Sequence, residues 1–409
     1  MKKSIFLAAL MLIAVGCLAQ KKSVNTARNY CMSEENPKFE EARAAIKEAL
    51  ANDETKNLAE TWYVAGLIGY RENYFDREIL KSQDYIKRGQ AIVESYDYWI
   101  KADEMAMTPI YDKKGKAKYN LALRKRIAEK MMEYYTSREV ELVQYAIDLY
   151  NNQKNYDEAY KVFTRFLSIP DLEMMQDERY QEKLPKDTNY YYYQYLRARS
   201  AYENKDLDNA LNLFRTLRDG NHNESSSAGQ YLYQCYIDKG DSVTANSILD
   251  ECIEMFPKEP WFLQNRINNL VRVGDADGAI AYLDRAIQMD PQSQYFNSKG
   301  SLLNMLKRFE EAIPVMQRAL QMEPTNAGYN SNMGFIYFDR ANKILDDASN
   351  LDNRGYKDAQ TKAEIDFRAA LPYFKKAYEI EPDNYQYKLS LRQLYYRLKM
   401  MDEYQALMN

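Results

Sequence analysis

One histidine, four cysteines and adjacent carboxylate pairs such as Glu40–Glu41 and Glu310–Glu311 are the residues from which a catalytic or metal site would have to be built. His222 lies in the loop "DGNHNESSS" and reads as a solvated turn residue. Zinc sites built on histidine fail on count, and no Cys-x2-Cys pair occurs among Cys17, Cys31, Cys235 and Cys252. No G-x-S-x-G elbow, P-loop or dinucleotide glycine pattern is present. Glu40–Glu41 and Glu310–Glu311 fall at expected helix starts, where acids complement the helix dipole rather than share a proton. The expectation is a non-enzymatic chain with no cofactor and no metal.

The composition points the same way. The 409 residues carry a net charge of −4 with 46% hydrophobic residues, 37 tyrosines and only 14 glycines. A mildly acidic chain without a basic stripe argues against nucleic acid as a partner. A chain this rich in apolar side chains can bury a long core.

The first residues, "MKKSIFLAALMLIAVGCLAQ", read as an export leader: Lys2 and Lys3, an apolar run from Ile5 to Val15, then small residues. Two processing routes fit. Cleavage before Gln20 would make 1–19 a signal peptide; "AVGC" at 14–17 is a permissive lipobox that would leave Cys17 acylated. Either route places the chain in the bacterial periplasm or envelope, soluble or as an outer-membrane lipoprotein. Without residues 1–19, which hold two lysines and no acid, the charge becomes −6. No later stretch is long and apolar enough to span a membrane. Cys235 and Cys252 would bridge only if their helices face each other, and both fit equally as small buried side chains.

The elements that must position any binding residues announce themselves by repetition. "RAIQMDP" at 285–291 returns as "RALQMEP" at 318–324 and as "KAYEIEP" at 376–382. Ala279 and Ala312, Ala286 and Ala319, and Pro291 and Pro324 are each 33 residues apart. Ala279, Leu283 and Ala286 share one helical face, where small side chains admit a close neighbour. Pro291 and Pro324 stop the helix. A second helix precedes each copy, with Phe296, Gly300 and Leu303 on one face.

Two antiparallel helices at a period of 33–34 resemble the tetratricopeptide repeat (TPR) family. Trp62, Ala65 and Gly66 match its first helix, with Gly69 where tyrosine is usual. Further matches are Val143, Ala146, Tyr150, Ala159 and Phe163; Ala198, Ala210 and Phe214; Leu232, Tyr236, Gly240, Ala245, Leu249 and Pro257. Gly334, Tyr337, Ala370, Phe374, Ala377 and Pro382 complete the set. The resemblance implies an all-α, right-handed α-solenoid of about seven to eight antiparallel helix-turn-helix repeats, because a lone hairpin cannot bury its apolar faces. Pro314 and Pro372 share one repeat position, read here as the first turn of the second helix.

The organisation follows from where the period breaks. Residues 20–58 form an N-terminal segment with a capping helix. Residues 59–135 hold a divergent repeat with an insertion plus an extra helix (118–135). An array spans 140–326. A repeat at 327–384 carries a helical-hairpin insertion, since 58 residues separate Ala319 from Ala377 where about 34 are expected; its tip falls at 349–355. A closing pair spans 385–409.

In TPR proteins the first helices line a groove that takes peptides. The resemblance therefore implies a groove of Tyr192, Tyr195, Arg199 and Tyr202, then Gln230 and Gln234. Gln264, Asn268 and Arg272 follow, then Asn297, Ser301 and Asn304, then Ser331, Phe335 and Phe338. Amides both donate and accept, which suits an extended backbone of any sequence. Gln264 stands where a carboxylate clamp needs lysine, which argues against a chaperone-tail clamp. The partner expected is a protein or peptide. The alternative is a glycan or cell-wall polymer stacked on exposed tyrosines of "NYYYYQY" (189–195) or on Tyr96, Tyr98 and Trp99.

Overall fold

The computed structural model describes residues 22–137 and 141–408, so the leader and Cys17 lie outside the described residues. The chain divides into two compact units, 1–241 and 242–409.

The first unit opens with α1 (22–32), α2 (Phe39–Ala51), α3 (Ala59–Tyr74) and α4 (Tyr85–Ala106). A two-stranded ribbon follows, β1 (Ile110–Tyr111) and β2 (Ala117–Lys118), then α5 (Leu121–Thr136) and α6 (Glu141–Asn151). The unit closes with α7 (Tyr156–Ser168), the single turn α8 (Glu178–Gln181), α9 (Thr188–Glu203), α10 (Leu207–Asp219) and α11 (Ser225–Asp238). Consecutive helices pack in pairs, α3 on α4, α6 on α7 and α9 on α10, and α7 and α10 carry the contact to the next pair.

The pair α3–α4 is held close by two glycines. A Cβ on Gly66 would lie 2.5 Å from the Trp99 ring, and one on Gly69 would lie 2.3 Å from the Ala91 carbonyl oxygen. That approach is why Gly69 replaces the usual tyrosine. Trp99 is fully buried, its indole N–H donating to Tyr63 O at 3.1 Å. Tyr96 is buried too, and Tyr98 packs on Trp62, so this segment is core and offers no glycan platform.

The insertion after Tyr70 continues α3 as a π-helical turn, Phe75–Ile79. It places Glu72, Asn73 and Asp76 in a buried polar knot with Arg88 of α4 and Glu141 of α6. Glu141 takes Asn73 Nδ2 at 2.7 Å, Arg77 at 3.3 Å and an ion pair from Arg88. Lys87 pairs with Asp76 at 2.9 Å and Arg43 of α2 pairs with Glu72. Four helices are thereby joined by charges that each have a partner, the condition under which buried ions are tolerated.

The second unit is more regular: α12 (Ser242–Met255), α13 (Pro260–Arg272), α14 (Ala276–Met289), α15 (Ser293–Met305) and α16 (Phe309–Met322). The extended pair α17 (Ala327–Asp347) and α18 (Asn353–Ile380) follows, turning at 348–352, then α19 (Tyr385–Arg397) and α20 (Met401–Ala406). Ala279, Ala286, Ala312, Ala319, Ala370 and Ala377 are all buried. Gly334 lets the Phe374 ring approach to 2.6 Å from where its Cβ would be.

One turn recurs through both units. Lys154, Lys205, Gly240, Gly274, Lys307 and Lys399 take positive φ just after a first helix. In the second unit, Gly274 N–H bonds Val271 O while Asp275 N–H reaches back to Leu270 O, a Schellman closure. Asp275 then caps α14 by accepting from Gly278 N–H.

The structure corrects the reading of two prolines. Pro314 is the sixth residue of α16, and Pro372 lies deep in the 28-residue α18. Both rings are exposed, as are Glu310 and Arg368 one turn earlier, so water can serve the carbonyls left without a partner. Cys31, Cys235 and Cys252 are buried, and none forms a disulfide; burial pushes the Cys31 thiol up to about 11 and Cys235 to about 12.

Candidate functional site

Each unit holds some of the residues expected to bind, and the two sets differ in chemistry. In the first unit the residues come from α6, α9 and α11. Asp187 accepts from Tyr190 N–H and starts α9, whose tyrosine run then spreads around the helix. Tyr190 is buried; Tyr191 stacks face to face on His222 at 3.4 Å between centroids. The histidine is therefore packed and half-buried, not the solvated residue its loop suggested. Tyr192 is 43% exposed and touches Tyr193.

Tyr195 and Arg199 belong to an aromatic cluster that sequence reading only half found. The Arg199 guanidinium lies over three rings: Tyr150 at 5.2 Å, Tyr231 at 5.5 Å and Tyr195 at 5.9 Å. Tyr231 also stacks on Phe214 at 5.1 Å and meets Tyr202 at 5.4 Å. Arg199 Nε is buried and has no hydrogen-bond acceptor among the described residues. Burial raises the phenols of Tyr150 and Tyr195 to about 12, and Tyr202 shifts upward by burial and by its bond to Asp238. Gln234 Nε2 donates to the other Asp238 oxygen at 2.8 Å. Tyr150 and Tyr231 were not singled out as site residues because each fits its helix equally well as core; Tyr231 lies 32 residues after Arg199, close to one repeat length, and that was the available signal.

In the second unit, Gln264, Asn268 and Arg272 stand exposed along one face of α13. Arg272 reaches Asn269 Oδ1 at 3.3 Å. On α15, Asn297 and Asn304 are half-buried because they bridge to α17. Asn297 Oδ1 accepts from Asn332 Nδ2 at 2.8 Å, and Asn304 Nδ2 donates to Asp339 at 2.8 Å. Asn304 Oδ1 is buried with no donor among the described residues. Ser301 is half-buried beside them, and Ser331 is buried. The structure turns Phe335 and Phe338 away from a groove role: Phe335 meets Phe374 at 5.0 Å, and Phe338 meets Phe367 at 5.3 Å, inside the α17–α18 core.

Comparison with known proteins follows this geometry. The family model for the tetratricopeptide repeat matches residues 265–327, from within α13 to the start of α17. That stretch of the chain is thus similar to tetratricopeptide repeats. No curated protein matches it. Solved structures similar to it include MamA residues 41 to end from Desulfovibrio magneticus RS-1, at 17% identity over 44% of this chain and 88% of that one, TM-score 0.33. YrrB, described as a TPR protein with an unusual peptide-binding site, is 18% identical over 50% of this chain and 91% of its own, TM-score 0.32. A TPR protein from Bacteroides fragilis NCTC 9343 is 16% identical over 62% and 96%, TM-score 0.31.

Among the described residues no group of three or more His, Cys, Asp or Glu is placed to hold a metal, and no helix is long and apolar enough to cross a membrane. What α13 and α15 present is a set of side-chain donors and acceptors.

Proposed function

We propose that this protein is a non-enzymatic interaction scaffold of the bacterial cell envelope that holds an extended peptide or protein segment along its first helices. The observation that carries the reading is the row of amides on two first helices, Gln264 and Asn268 exposed on α13 and Asn297 and Asn304 half-buried on α15. An extended backbone offers alternating N–H and C=O groups, and such a row answers both without selecting side chains. The charged leader followed by an apolar run supports export, with Cys17 as the acylated residue if the lipobox is used.

Affinity capture from the organism's own envelope tests this, using the natural chain and an Asn268→Ala, Asn297→Ala, Asn304→Ala variant whose melting is checked in parallel. A discrete partner lost from the folded variant supports the groove. A partner retained in full contradicts it.

A glycan reading keeps one specific observation. A cavity of about 270 Å³ is walled by Tyr135, Phe166, Tyr190 and Tyr193 and edged by Lys183, Asp187 and Asn189. Tyr135 and Phe166 stack at 4.9 Å. The platform thus shifts from Tyr192 and Tyr195 to Tyr193. Retention on cell-wall glycan beads that is lost on Tyr193→Ala supports this second reading, and unchanged elution removes it.

A further inference from the structure

The ribbon between α4 and α5 leaves its large apolar side chains outside the core. Ile110 pairs with Lys118 and Tyr111 with Ala117, yet Ile110 is 73% exposed, Tyr111 67% and the following Leu121 62%. A segment that buries so little apolar surface gains almost nothing from its own chain. It is nonetheless well formed. Asp112 accepts main-chain N–H bonds from Lys114 at 2.8 Å and Lys116 at 3.0 Å, and Gly115 supplies the positive φ that closes the turn. Asn120 N–H anchors the far end on Ala106 O at 2.9 Å.

Its charge is opposite to that of the rest of the protein. Residues 112–118, "DKKGKAK", hold four lysines and one aspartate, net +3, so the remaining chain carries −7 of the total −4. One lysine, Lys118, leans 3.7 Å from Asp112; Lys113, Lys114 and Lys116 project without an ion pair among the described residues. No arginine occurs in 108–120. Arginine forks suit a particular carboxylate or phosphate, whereas lysines act as mobile point charges and suit a diffuse negative surface. Ile110 and Tyr111 beside them supply an aliphatic side chain that gains by leaving water and an aromatic ring of the kind that settles at a headgroup boundary.

We propose that the 108–121 ribbon docks the protein on an anionic phospholipid surface, with Lys113, Lys114 and Lys116 over the headgroups and Ile110 and Tyr111 entering the interface. Each lysine near such a surface strengthens binding by about 1 kcal/mol, roughly fivefold in partitioning. The contact acts within a Debye length of the membrane and is therefore sensitive to salt.

Sedimentation with vesicles tests this on the chain from Gln20 onward, which keeps every described element and carries neither leader nor acyl group. Vesicles of 30% phosphatidylglycerol in phosphatidylcholine are compared with pure phosphatidylcholine. Binding is expected to the anionic vesicles alone and to be lost in 0.5 M NaCl. A Lys113→Gln, Lys114→Gln, Lys116→Gln variant should bind about a hundredfold more weakly, and Ile110→Ser with Tyr111→Ser about tenfold. These side chains are exposed, so circular dichroism and melting should be unchanged. Equal binding to neutral vesicles, no binding to either, or full retention in the lysine variant overturns the proposal. Capture of an acidic protein by the ribbon with no vesicle binding would likewise assign the surface to a different partner.

Discussion

The two units solve the same packing problem with different materials. The second unit brings helices together through small residues at a fixed spacing, Ala279 and Ala312, Ala286 and Ala319, Ala370 and Ala377, and leaves its ion pairs mostly at the surface. The first unit brings α3 onto α4 through Gly66 and Gly69, fills the space with Trp99, and ties α2, α3, α4 and α6 with buried charge. Repetition of one contact makes a unit tolerant, because each hairpin depends only on its neighbours. A shared polar knot makes several helices depend on one another.

The sharpest way to break that contrast is Arg88→Ala. It leaves Glu141 buried with one strong partner removed, and the expected loss is about 3–5 kcal/mol. In the second unit Arg340→Ala, which frees Asp366, should cost less, about 1–3 kcal/mol, because Arg340 meets solvent and water can replace it. Chemical denaturation of the two variants checks the order; equal losses would erase the distinction.

Glycine replacement sharpens it further. Gly69→Ala drives a methyl into the Ala91 backbone carbonyl, which cannot turn aside, and should cost about 1–3 kcal/mol. Gly300→Ala meets the end of the Met316 side chain at 2.9 Å, which can rotate away, so less than about 1 kcal/mol is expected. Melting temperatures of the pair decide it.

The aromatic cluster predicts an alkaline limit. Tyr150 and Tyr195 hold their protons to about 12 in the fold against 10.0 unfolded. The folded state therefore binds more protons between those values. Its contribution is complete below pH 10 and is lost as pH rises towards 12. Denaturation at pH 9, 10.5 and 11.5 should show falling stability, and phenylalanine at both positions should flatten the slope.

The smallest effects belong to the recurring turn. Lys307→Gly relieves a left-handed lysine and should stabilise by up to about 1 kcal/mol, while Gly274→Ala should cost about 1 kcal/mol. Unequal signs in a thermal scan confirm that one turn geometry serves both.

What was legible in the sequence follows the same division. The hairpins of the second unit were readable because alanine, glycine and proline recur where steric contact allows nothing larger. The polar knot was not, since Glu72, Asp76, Arg88 and Glu141 look like surface charges until the π-helical turn and four helices bring them together. The 110–118 ribbon was also missed: two residues per strand are too few for an alternating pattern, and only Asp112 and Gly115 mark its turn. Among the expected site residues, Phe335 and Phe338 share a repeat position with the asparagines and are claimed by the longer α18. Their ring partners Phe367 and Phe374 were the signal.

Cross-linking mass spectrometry of the protein in its own cells addresses the scaffold reading most directly. The account predicts a discrete protein partner whose cross-links fall beside the first helices α9, α11, α13 and α15 and disappear in the Asn268→Ala, Asn297→Ala, Asn304→Ala variant. Cross-links confined to other surfaces, or no protein partner at all, would contradict it.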